Sequence, residues 1–136
     1  MSSQVVRQAF QSELVAAFPA VPYFTTLAVR TDNEALPALW QSLDFIPASD
    51  GPISIGNPAC YRETGAARAL VVGQAGAGEG AAITQAEAIR NHFRRWAVPA
   101  EQIQVVNVLP PTAAPESDGR WLVVAVDMNY RRDYFA

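Results

Sequence analysis

The chain has 136 residues, half of them apolar and 17% charged, a composition that supports one packed domain over 1–136 and argues against a disordered chain. The net charge is -3 and every basic residue is an arginine, so a sequence-independent grip on nucleic acid is not expected. Cys60 and His92 stand alone as residue types, which excludes an internal disulfide and a Cys/His zinc cluster.

Residues 3 to about 18 repeat apolar positions at helical spacing, with Val6, Phe10, Leu14 and Ala17 on one face. Ser2 or Ser3 is placed to cap this helix and Pro19 to stop it. The same stretch lacks the basic start and unbroken apolar core of a signal peptide, and no run nears the ~20 apolar residues that span a bilayer. A protein of the cytoplasm, with no membrane partner, is expected.

"TTLAVRT" (25–31) reads as a short strand before an Asp32-Asn33 turn. "ALWQSLDFI" (38–46), between Pro37 and Pro47, reads as a second strand, with a helical turn near Leu39 as the alternative. Residues 47–65 are rich in glycine and proline and read as a long connection of the kind that is often functional. "AARALVVGQ" (66–74) is a third strand. A helix follows over 81–97, with Ile83, Ala86, Ile89, Phe93 and Trp96 on its apolar face. "QIQVVNVL" (102–109) is a fourth strand, "TAAPESDG" a polar turn, and the segment from Trp121 the fifth strand and tail.

The order α-β-β-β-α-β-β predicts an α+β fold: a two-layer sandwich with a mainly antiparallel sheet of about five strands and two helices packed on one face. A parallel neighbour inside the strand-helix-strand unit of 66–109 is left open. In the last strand Leu122, Val124, Val126, Met128 and Tyr130 share one face. Trp121, Val123 and Ala125 share the other, which two helices do not reach, so a second copy of the chain is the expected cover.

"GQAGAGEG" (73–80) places four glycines between a strand and a helix, where backbone N–H groups can cradle a phosphate. A P-loop needs a lysine that this chain lacks, Glu79 brings a negative charge to the spot, and a dinucleotide fold needs more βαβ units than fit here. The loop therefore reads as a reversal of the chain. His92 reads as a solvated surface histidine, and Cys60 has only Arg62 to lower its thiol pKa. Asp44, Glu63 and Asp127 have no spacing that pairs them. Arg90, Arg94, Arg95, Arg131 and Arg132 read as solvated faces in preference to a phosphate or DNA patch. No catalytic, cofactor or metal residue is expected, and no enzyme.

The stretch "YRETGAARALVVGQAGAGEGAAITQAEAIRNHFR" resembles the central region of tail terminator-like proteins of long-tailed bacteriophages, the group that includes the lambda minor tail protein U. In that pattern a loop ending in Arg-x-x-Gly, here Arg62 to Gly65, leads into a strand at Leu70 to Val72. A glycine-rich segment with Gly76 and Gly78 follows, then a helix closing on Phe93-Arg94. "DGRWLVVAVDMNY" resembles the closing strand, and "TDNEALP" matches no part of the pattern. The resemblance implies a structural protein of phage or prophage that forms a ring, a hexamer, on the end of the tail tube. Such a ring stops tube polymerisation and meets the head-tail connector or neck protein. The implied locations are the host cytoplasm during assembly and then the virion tail. Trp121, Val123 and Ala125, with Tyr61 and Arg62 from the long connection, are the candidate subunit interface. The alternatives are another neck or head-completion protein, and a small nucleotide-binding regulatory module using the glycine-rich loop.

Overall fold

The computed structural model describes residues 3–24, 37–74, 79–115 and 121–135. The expected strand at 25–31 and the glycines at 76 and 78 lie outside them. Within them the order is α1 (Gln4–Ala17), β1 (Leu39–Pro52), β2 (Cys60–Gln74), α2 (Glu79–Phe93), β3 (Ala97–Val98), a 3-10 turn (Pro99–Glu101), β4 (Ile103–Val108), β5 (Thr112–Pro115) and β6 (Trp121–Phe135). The sheet runs β1-β2-β6-β4-β3, with β5 also pairing β6. Each of these ladders is antiparallel. The expected α+β architecture is therefore the observed one. β2 and β4 both run antiparallel to β6, which lies between them, so they are not neighbours.

Both helices bury their apolar stripes on one face of the sheet. Val6, Phe10 and Leu14 of α1 and Ala82, Ala86, Ile89 and Phe93 of α2 meet Ala67, Ala69, Val71, Val124, Val126 and Met128. Phe10 sits at the centre, with ring centroids 4.8 Å from Trp96, 5.7 Å from Tyr130, 5.8 Å from Phe93 and 6.1 Å from Phe45. Ser3 occupies the N-cap of α1 in an extended conformation, but its side chain makes no capping bond. Its backbone N–H instead donates to Glu63 Oε2 at 3.2 Å, which ties the helix start to the sheet. α2 ends at Phe93, four residues earlier than expected, and Trp96 reaches the core from beyond it. Ile83 is exposed, because the stripe that faces the sheet passes through Ala82.

The expected connection over 47–65 is mostly strand. β1 continues to Pro52 and β2 starts at Cys60, so the turn spans only 53–59. Pro47 is tolerated because β1 is an edge strand with a register shift between Ile46 and Ser49. Gly65 has a packing reason. It lies opposite Tyr130, and a Cβ there would stand 2.9 Å from Ala48 Cβ and 3.0 Å from the Tyr130 hydroxyl. The expected polar turn after β4 likewise begins as a strand, β5. At ~3.3 Å per residue, β2 and β6 make a ribbon about 50 Å long.

Candidate functional site

The outer face of the ribbon divides into an apolar end and a polar end. Cross-strand partners in an antiparallel ladder point the same way. Val72 pairs with Val123, Leu70 with Ala125, Arg68 with Asp127, Ala66 with Asn129, Thr64 with Arg131, and Arg62 with Asp133. At the apolar end Trp121 is only 5% exposed and packs with Trp40 and Val72, while Phe24 and Val123 lie against them. The Phe24 and Trp40 rings meet edge to face at 5.4 Å. Trp121, read from sequence as open surface, is therefore covered by its own chain. Val123 and Ala125 remain half-buried. The under-covered apolar area is thus smaller than alternation in β6 implies, because β1 contributes Trp40 to the same side.

From Arg68 onward the face satisfies itself. Arg68 donates two hydrogen bonds to Asp127, at 2.7 and 3.1 Å, and Arg62 two to Asp133, at 2.8 and 3.0 Å. Two-pronged pairing of this kind is the geometry a guanidinium makes best with a carboxylate. Donating to Asp133 and Asp127 holds the Arg62 and Arg68 guanidiniums more firmly protonated, and Arg62 keeps the Asp133 carboxyl below its usual value. Asn129 donates to Asn107 at 2.6 Å and Arg131 to Gln104 at 3.1 Å. Asp127 is thus a ladder partner. Asp44, with a weaker attraction to Arg68, flanks the same arginine.

Tyr61 projects from the opposite face to Arg62. Its ring stacks on Tyr134 at 5.8 Å, and the Tyr134 hydroxyl donates to Asp50, which raises the Tyr134 pKa. Arg132 lies 4.9 Å over the Tyr134 ring. The two expected interface residues therefore sit on opposite sides of one strand. Arg131 and Arg132 also point to opposite faces of β6. Further in, Glu63 is 4% exposed and accepts from the Tyr130 hydroxyl at 2.6 Å. His92 is exposed, as read from sequence, and there it bonds Glu13 at 2.7 Å, joining α2 to α1. Among the described residues no group of three or more His, Cys, Asp or Glu gathers as a metal site.

The connection over 47–65 that was expected to be functional narrows to an exposed tip, and a guarded edge that the sequence did not signal accompanies it. The β1–β2 turn carries Ile53 and Ile55 outward, at 49% and 105% exposure, beside an exposed Phe135. Their signal was present in the uncharged run from Gly51 to Tyr61. The free edge of β1 is capped by the chain itself. Gln41 exchanges backbone bonds with Pro22 and Phe24, and the next outward-facing positions, Leu43 and Phe45, bond the Tyr23 hydroxyl and the Asp44 carboxylate. Such capping discourages indiscriminate strand addition.

A family model described as phage tail terminator protein matches residues 5–130. The chain belongs to the phage tail terminator family. No curated protein sequence matches it. Six chains of solved structures match it; one shares its fold, covering 100% of this chain and 99% of its own at 20% identity, with a TM-score of 0.60. The terminator is a structural protein of tail completion, makes contact with tail components, and belongs in the virion tail. None of its helices is long and apolar enough to cross a membrane, among the described residues.

Proposed function

We propose that this terminator assembles in the host cytoplasm and closes as a ring, a hexamer, on the end of the finished tail tube. There it stops addition of tube protein and offers its other side to the head-tail connector. The role involves no catalytic step, no cofactor and no specific nucleic acid. The family match over 5–130 carries the reading. The structure supports it in three ways. A ribbon about 50 Å long presents an uncharged tip. Its outer face is rigidified by paired arginines and carboxylates. The edge of β1 is guarded, so that contact between copies need not run on as an open sheet. A ring arises from head-to-tail contacts whose rotation closes.

Of the residues proposed for contact between copies, Val123 and Ala125 keep accessible surface at the apolar end, and Tyr61 and Arg62 flank the ribbon near the tip. Trp121 serves as the floor beneath Val123. The test is to incubate the purified protein with purified tail tubes and image the tube ends. Six-fold density on one end of each tube, needed before connector protein will bind, is the expected result. Bare ends at saturating protein, or connector binding without it, would refute the proposal.

A further inference from the structure

We infer that the β1–β2 tip of one copy docks into the groove beside β5 of the next copy; this contact rests on the ring proposed above. No charged residue occurs from Gly51 through Tyr61, and Ile55 at the turn is fully exposed. Branched aliphatic side chains held out on a hairpin mark a contact surface more than a solvated end. The same chain carries a groove of about 270 Å³ lined by Leu109, Pro110, Thr112, Val123 and Ala125. Its charged groups, Arg68 and Asp127, already satisfy one another, so an aliphatic guest costs them no partner.

Charge selects this groove over the larger cleft of about 450 Å³ lined by Cys60, Glu101, Arg132, Asp133 and Phe135. An uncharged tip entering that cleft would strip water from Glu101 and Arg132 and supply no counter-charge. Nor does the tip reach the groove of its own chain. At ~3.3 Å per residue, Ala125 stands about 33 Å from Phe135 along β6, and the turn lies beyond Cys60, the partner of Phe135. Knob and hole are thus at opposite ends of one molecule, and only a different copy brings them together. One tip in one groove falls well short of the ~1,200 Å² that a stable isolated pair buries. An open pair is therefore weak, whereas a closed ring on a tube end satisfies every knob and every hole and gains from multivalency.

The full chain carrying Cys60→Ser, Ile55→Cys and Thr112→Cys is incubated with tail tubes and then oxidised with copper phenanthroline. A ladder of covalent oligomers on a non-reducing gel, collapsed by reductant and absent when either new cysteine is omitted, is the expected result. Rings visible on tube ends without a ladder overturn the docking inference and leave the ring standing. Tubes that stay uncapped overturn the ring itself, and the inference with it. In parallel, Ile55→Asp should raise the protein concentration needed to cap half of the tube ends by about 10-fold or more while leaving the urea midpoint unmoved. An unchanged capping concentration in that variant refutes the inference.

Discussion

Gly65 offers the sharpest test of the packing that holds the ribbon against the helices. In Gly65→Ala the new methyl would stand 2.9 Å from Ala48 Cβ, 3.0 Å from the Tyr130 hydroxyl and 3.2 Å from Tyr130 Cε1. Tyr130 is 2% exposed and has no open side to move into. Overpacking of a core site costs about 1–3 kcal/mol. Displacing the hydroxyl also breaks its 2.6 Å bond to buried Glu63, worth about 1.5–3 kcal/mol with a carboxylate acceptor. Gly65→Ala should therefore lose about 2.5–6 kcal/mol, by the sum of those two effects. Tyr130→Phe alone should lose about 1.5–3 kcal/mol, since Glu63 forfeits the same donor. The double variant cannot lose that bond twice, and it no longer has the hydroxyl in the way of the methyl. Its loss should fall short of the sum by about 1.5–3 kcal/mol. Urea unfolding followed by the fluorescence of buried Trp40 and Trp121 reads all four corners of the cycle. Additive losses, or a Gly65→Ala variant within about 0.5 kcal/mol of the parent, would refute this account of the glycine.

Phe10→Ala removes the ring on which four other aromatics converge and should cost about 3–5 kcal/mol in the same assay. Gln102 holds a left-handed conformation at φ 58°, so Gln102→Gly should raise stability by about 0.5–1 kcal/mol, read as an upward shift in thermal midpoint. Asp133 has its carboxyl held below 3.8 by Arg62, so its contribution is fully present above 3.8 and disappears as pH falls through the lowered native value. The stability gap between parent and Asp133→Asn should be small, since both partners are about one-third exposed. It should close on acidification across that window, and a gap that widens would contradict the pairing.

The helices and the core face were legible because periodicity records burial directly: Val6, Phe10 and Leu14 point where their spacing says. The ribbon was harder to read. Pro47, Gly51, Pro52, Gly56, Pro58 and Gly65 have loop composition, yet four of these positions lie within β1 and β2. An edge strand tolerates proline, and Gly65 answers to a tyrosine that sequence separates from it by more than sixty positions, a pairing only the register reveals. The outer face misled for a similar reason. Trp121 looked uncovered because its cover, Trp40, arrives from β1 across β2. The arginine–carboxylate pairs were hidden in the same way, since Arg68 meets Asp127 only once β2 lies beside β6. The family resemblance was legible where composition is densest, from Tyr61 to Arg94.

The central claim is that this protein ends tube growth by occupying the tube end. The direct measurement is tube length over time, by electron microscopy, when the protein is added to polymerising tail tube protein at an amount matched to tube ends and far below the tube subunits. The account predicts that elongation halts within the time of binding and that each halted tube carries one cap. Tubes that continue to lengthen at the untreated rate, with the protein free or scattered along their walls, would contradict it.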